Sequence, residues 1–180
     1  MDFAWTVRYF RHKERLAFSG TSRSKMSTMP HHIEGGSTQI PQQTIRLIGT
    51  AMTDNLIHLP AIYLQSCREA LAHEQALSLE ASNGWAHVDR DVVHAEWDAV
   101  YRDLARNLDT SDPMDAASQD LIRKHYNVAC LFYTPSKEAY IGMALFYEEN
   151  KELNAFHATY HPGLVAFLNV AIRAYSARNL

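Results

Sequence analysis

The sequence lacks most of the features that announce a reaction. GxSxG, the P-loop pattern and GxGxxG are all absent from its 180 residues, which excludes a nucleophile elbow and the common phosphate-cradling loops. Cysteine is scarce. Cys67 and Cys130 stand alone with no CxxC, so there is no disulfide framework, and packed thiols in a reducing compartment are expected. No apolar run approaches the roughly 20 residues of a membrane span, and the first residues, interrupted by Arg8, Arg11, Lys13 and Arg15, hold no signal-peptide apolar stretch. A soluble cytoplasmic protein is expected. Neither sign of charge dominates: 17 basic and 20 acidic residues leave a net charge of -3, which argues against attraction of the whole chain to nucleic acid or an anionic membrane.

The residues that are present divide unevenly. With 47% hydrophobic residues in 180, the chain can bury one ordinary core and a tail. Residues 1–50 carry seven basic and three acidic side chains, a net +4, whereas 51–180 carry ten and seventeen, a net -7. From Ser19 to Gln43 the composition is Ser, Thr, Gly, Pro and Gln without apolar period, which reads as loop or disorder. Phe3, Trp5, Val7, Tyr9 and Phe10 alternate only briefly. Residues 1–50 are therefore expected to be either a disordered basic tail or sequence upstream of a true start at Met26, Met29 or Met52.

Beyond Met52 the pattern turns helical. Pro60 opens a weakly amphipathic segment through Ile62, Tyr63, Leu71 and Leu77 that should end before Asn83-Gly84. Asp89 can cap a clearer helix in which Val93, Trp97, Val100, Tyr101, Leu104 and Leu108 share one stripe. The run DTSDP at 109–113 then breaks the chain, with Asp112 as cap and Pro113 in first position of a third helix reaching about Tyr133. Its inward positions are Leu121, His125, Val128, Ala129 and Phe132. Thr134-Pro135 opens a fourth helix through Tyr140, Ile141, Ala144 and Tyr147, Asn150 a short fifth through Leu153, Phe156 and Tyr160, and His161-Pro162-Gly163 a last one through Leu164, Phe167, Leu168, Ala171, Ile172 and Tyr175. The fold class read from this is all-α, six helices, with no βαβ alternation.

Ten histidines raise the question of metal. His157 and His161 are four apart, but Ala158 stands where a zincin needs glutamate. Asp91-x-x-His94 is a single, shortened echo of a di-iron motif. His125 or His157 on an apolar face could serve as a haem axial ligand, against the ordinary alternative of a hydrogen-bonded core histidine. Aromatics are the more informative feature. Trp85, Trp97, Tyr101, Tyr126, Phe132, Tyr133, Tyr140, Phe146, Tyr147, Phe156 and Tyr160 crowd one region, and tyrosine and tryptophan carry polar tips that are awkward in a dry core. They are read either as core and half-buried surface rings or as the lining of a cleft for a flat, amphipathic organic molecule.

The string LIRKHYNVACLFYTPSKEAYIGMALFYEENKELNAFHATYHPGLVAFLNVAIRAYSAR at 121–178 resembles the TipAS antibiotic-recognition domain found at the C-terminus of certain MerR-family regulators. The likeness is carried by RKHY at 123–126, the MALFYEENKEL run and the PGLVAFLNVAIRAY helix, and it continues upstream through DVVHAEWDAVYRDLARNLDTSDPMDAASQDL, thinning before Trp85. The resemblance implies a globin-like helical domain without haem, built around a central ligand cleft that takes a bulky peptide-like antibiotic such as a thiopeptide or albicidin. Residues 85–180 would form that domain and 51–84 a helical lid that orders on the ligand. Two departures matter. Residues 1–60 contain no MerR winged helix-turn-helix, so DNA binding is not carried over. The helix in which some members hold a capturing cysteine offers Tyr140, Ile141 and Gly142, so binding should be non-covalent.

The resemblance thus implies a non-enzymatic domain without cofactor or metal that sequesters the drug and confers tolerance, touching neither nucleic acid by itself nor membrane; its oligomeric state stays open. Trp97, Tyr101, His125, Tyr126, Phe132, Tyr140, Met143 and Tyr147 are the expected ligand-binding residues. The effector half of a MerR-type regulator and a haem- or metal-binding globin-like protein remain the alternatives.

Overall fold

Proline lacks the amide hydrogen that a helix interior needs but is tolerated at its start, and Pro60 directly precedes the first helix of the computed structural model, which describes residues 58–180. The tail expected over 1–50 lies outside the described residues, as do Met52 and the first residues of the expected lid. Helix α1 (Ala61–Ala81) buries only Cys67 and Leu71. Ile62 is 81% exposed and Leu77 53%, which is why the apolar period there is weak. Cys67, joined by Tyr63 and Leu64, packs against Ile141 and Leu145. Gly142 makes this approach possible, because a Cβ there would overlap the Cys67 carbonyl oxygen and stand 2.9 Å from Leu71 Cβ. The helix closes with Gly84 N–H donating to the Leu79 carbonyl at 2.8 Å, and Asn83, Gly84 and Trp85 all take positive φ.

Asp89 caps helix α2 (Arg90–Ala105) as expected, its side chain accepting from the amides of Asp91 and Val92. The stripe Val93, Trp97, Val100, Tyr101 and Leu104 is buried, while Leu108 falls in a short 3-10 turn, Leu108–Thr110. The next start is displaced by three residues. Asp112 accepts from Met114 N–H in a tight turn, and Asp115 caps helix α3 (Ala116–Ala129) through Ser118 N–H. That helix ends at Ala129, four residues short of Tyr133, as Leu131 and Phe132 tighten back onto the Val128 and Ala129 carbonyls. Ile122, His125, Tyr126, Val128 and Ala129 face inward, and Leu121 is only half-buried.

Ser136 rather than Thr134 caps helix α4 (Lys137–Glu149), accepting from Ala139 N–H. Every residue from Ala139 to Leu145 is buried, as befits a helix covered on several sides. Asn150 ends α4 and caps α5 (Lys151–Ala158), and α6 (Leu164–Asn179) follows Gly163. Helix α4 packs between α1 and α6, α6 also meets α3, α3 pairs with α2, and α5 leans on α4 and α6. The described residues form six α-helices and no strand, and none of these helices is long and apolar enough to cross a membrane.

Candidate ligand-binding site

His125 is the hub of the interior. It projects from α3, is fully buried, and meets tyrosines from two other helices. Tyr140 and Tyr147 lie seven residues apart on α4, hence on one face, and Tyr101 comes from α2. His125 Nδ1 is 2.9 Å from Tyr140 Oη, and that hydroxyl lies 3.4 Å from the Ile122 carbonyl. His125 Nε2 is 3.2 Å from Tyr101 Oη and 3.4 Å from Tyr147 Oη. The Tyr101 and Tyr147 hydroxyls also bond each other. Counting protons selects the tautomer. With the proton on Nδ1, Nδ1–H donates to Tyr140, Tyr140 donates to Ile122, one hydroxyl donates to Nε2 and the other to its companion. With it on Nε2, one hydroxyl proton has no acceptor.

Burial decides how these groups ionise. It pushes His125 down to about 3, with a smaller contribution from His157, and His157 down to about 4 despite its bond to the Leu153 carbonyl. Tyr101, Tyr140 and Tyr147 are raised well above the ordinary phenol, again chiefly by burial. At neutral pH the hub is therefore uncharged, and its chemical repertoire is stacking and neutral hydrogen bonding.

A ladder of rings leads from this hub toward solvent. Trp97 is tilted over His125 at 5.8 Å, Phe132 stacks on Trp97 at 5.8 Å, and Trp85 meets Phe132 edge-on at 4.9 Å. Exposure rises along it, since Trp97 is buried while Phe132 and Trp85 are half-buried. On the other side His157, from α5, lies 4.5 Å from Tyr147 and 4.9 Å from Tyr101, and Tyr160 closes against Tyr101 at 5.4 Å.

Of the residues expected to bind ligand, the structure brings Trp97, Tyr101, His125, Phe132, Tyr140 and Tyr147 into this one network. Met143 is buried on the same face of α4, three residues from Tyr140 and four from Tyr147. Tyr126 points elsewhere. Its ring sits edge-on to Tyr140 at 4.8 Å and 5.6 Å from Tyr175, and its hydroxyl donates to the Pro135 carbonyl at 2.8 Å, holding the approach to α4. Trp85, Tyr133 and His157 belong to the neighbourhood although they were not among the expected ligand-binding residues. His157 was legible as an inward position four after Leu153; Trp85 and Tyr133 lie outside helices, where periodicity is silent.

His157 and His161 do not converge: His157 faces the core, while His161 Nδ1 accepts from Gly163 N–H and its Nε2 lies 3.3 Å from Asp109. Among the described residues no group of three His, Cys, Asp or Glu side chains could hold a metal ion. Both His125 nitrogens are engaged by tyrosines, which leaves none for a haem iron. The thiols are not activated. Burial raises Cys130, and burial followed by the Glu138 charge raises Cys67.

Comparison with known proteins places this architecture. A family model described as the TipAS antibiotic-recognition domain, a helical globin-like domain, matches residues 68–175, from within α1 to near the end of α6. The chain is 28% identical over 95 residues to the HTH-type transcriptional regulator SkgA of Caulobacter vibrioides, in strain NA1000 / CB15N and in strain ATCC 19089 / CIP 103742 / CB 15. The alignment covers 51% of this chain and 37% of each regulator, so the chain spans little more than a third of those proteins. No solved structure matches it.

Proposed function

The chain belongs to the TipAS family of antibiotic-recognition domains, and on that premise we propose that it binds a bulky peptide-like antibiotic, a thiopeptide or an albicidin-like molecule, and confers tolerance by sequestering it. The observation that carries the reading is the uncharged ring network around His125, with its ladder through Trp97 and Phe132 to Trp85 at the surface. Such a lining suits a large, flat, amphipathic ligand. A nanomolar site corresponds to about -12 kcal/mol, within reach of a few desolvated aromatic anchors. The protein acts as a binder rather than an enzyme, because no imidazole in the hub titrates near neutral pH, where general acid-base work needs it. Binding is non-covalent and reversible, because both described thiols are held in their unreactive protonated form.

A second reading makes the domain the ligand sensor of a MerR-type regulator, and the likeness to SkgA, an HTH-type transcriptional regulator, favours it. Thermal unfolding of the purified protein with thiostrepton and, separately, with albicidin tests binding, since a ligand held by the native state alone raises the melting point by mass action. No shift with either drug refutes the proposal. Expressing the chain in a drug-sensitive host then separates the readings. Growth at raised drug concentration supports sequestration, whereas unchanged sensitivity despite binding in vitro supports the sensor.

A further inference from the structure

One hydroxyl on α1 joins the two outer rings of the ladder. Trp85 Nε1–H donates to Ser78 Oγ at 2.9 Å, and Ser78 Oγ donates to the Phe132 carbonyl at 3.4 Å. The direction of this relay is fixed, because an indole nitrogen can only donate, a carbonyl can only accept, and a hydroxyl does both at once. Ser78 serves the same turn through its backbone: its carbonyl accepts from Ser82 Oγ at 2.6 Å, and Ser82 Oγ in turn accepts from Trp85 N–H at 3.1 Å. A second tie lies beside the first, where His87 Nε2–H donates to the Leu131 carbonyl at 3.1 Å. These bonds oppose a strained backbone. Trp85 holds φ at 60°, a conformation a bulky residue keeps only where its surroundings over-determine it. What the outer rings cover is Trp97, on which Phe132 stacks. Its Nε1 is buried and has no hydrogen-bond partner among the described residues, so burial alone keeps that proton from water.

We propose that Ser78 is a positioning residue for the ligand site: its hydroxyl couples the Trp85 indole to the Phe132 backbone and holds the two outer rings together as a cover over Trp97. This rests on reading the ring ladder as the binding site. A ligand that reaches Trp97 must first part that cover, so Ser78 sets how fast ligand enters and leaves. Its position on α1 explains why aromatic density in the sequence does not reveal it. The rings supply the contact, and the hydroxyl supplies their order.

The test uses the whole chain with water as the probe: exchange of the Trp97 indole proton for deuterium, followed by NMR in the drug-free protein. In Ser78→Ala that proton should exchange about tenfold faster than in wild type, the scale of one hydrogen bond. Ser78→Thr, which keeps the hydroxyl, should restore the slow rate to within about threefold. The slowest amides of α4 should not speed up in either variant, because the opening is local. The proposal is overturned by an unchanged Trp97 rate in Ser78→Ala, by an equal rise in Ser78→Thr, or by a rise shared with the α4 amides. If Ser78→Ala does not fold, His87→Ala decides in its place, since it cuts the neighbouring tie at an exposed side chain. A severalfold faster Trp97 proton there supports the cover, and an unchanged one overturns it. Exchange that depends on Ser78, with no response to thiostrepton or albicidin in thermal unfolding, would remove the antibiotic reading and leave the positioning role; drug binding with exchange indifferent to Ser78 would do the reverse.

Discussion

Two neutral imidazoles inside a helical core make the protein sensitive to acid in a defined window. Each takes up its proton near 6.5 in the unfolded chain but only near 3 for His125 and near 4 for His157 in the native one. Between about pH 6.5 and 4 the unfolded state thus binds more protons, and stability falls as pH falls. The loss is of order a few kcal/mol, and urea unfolding at pH 7, 6 and 5 should show it above the range where carboxylates titrate. A flat profile over that range would mean that the histidines are not buried as described. Tyr126 illustrates a different residue-level role. Tyr126→Phe keeps the ring against Tyr140 and Tyr175 but leaves the Pro135 carbonyl without its donor, so it should cost about 1 kcal/mol of stability and leave ligand affinity within a few-fold. Phe132→Ala, which removes the ladder's middle ring, should weaken drug binding by roughly 2 kcal/mol. Isothermal titration of both variants against a drug that binds the parent protein checks the contrast.

At the scale of elements, the informative junction is the crossing of α1 over α4. Gly142 brings the Cys67 backbone within reach of α4, and polar contacts fasten the same face: Tyr63 donates to Glu138 at 3.1 Å, Arg68 Nε to Glu149 at 2.8 Å, and Ser136 N–H to Glu74 at 3.0 Å. Gly142→Ala must push the helices apart and should destabilise by about 1–3 kcal/mol, read as a lowered melting temperature. A lid of the kind expected from the sequence would therefore be held most firmly along the first four turns of α1 and would be freest toward Trp85. Hydrogen exchange with and without drug should place the largest gain in protection over residues 78–88. Equal protection throughout would mean that no segment orders on binding. The turn itself is strained, since Trp85 holds φ at 60°, a conformation that costs a bulky residue about 1–2 kcal/mol. Trp85→Gly should accordingly be more stable than Trp85→Ala by about 1 kcal/mol, while both lose the outer ring and release drug faster.

For the whole molecule, the helical count and the inward stripes were legible from residue order because periodicity and capping are local. Val93 to Leu104, the Asp89 and Asn150 caps and the Leu164 to Tyr175 face follow from 3.6-residue spacing and from side chains that can accept a backbone amide. The family was legible too, in the HY, ALFYEE and PGLVAFL strings. Where two residues offer the same local chemistry, local rules cannot choose between them. Asp112 and Asp115 both precede α3, Thr134 and Ser136 both precede α4, and packing decided for the later residue each time. The site was only partly legible for a related reason. Aromatic density at 97–147 marked the region, but a tyrosine's role depends on what its hydroxyl meets, and the partners come from elsewhere in the chain: Pro135 for Tyr126, His125 for Tyr101 and Tyr147. The sequence by itself therefore determined the helices and their buried faces. Only the tertiary structure, by bringing α2, α3, α4 and α5 to one point, decided that His125 is a hydrogen-bonded hub, with Trp97 against its own ring and His157 against the rings of its tyrosines Tyr101 and Tyr147.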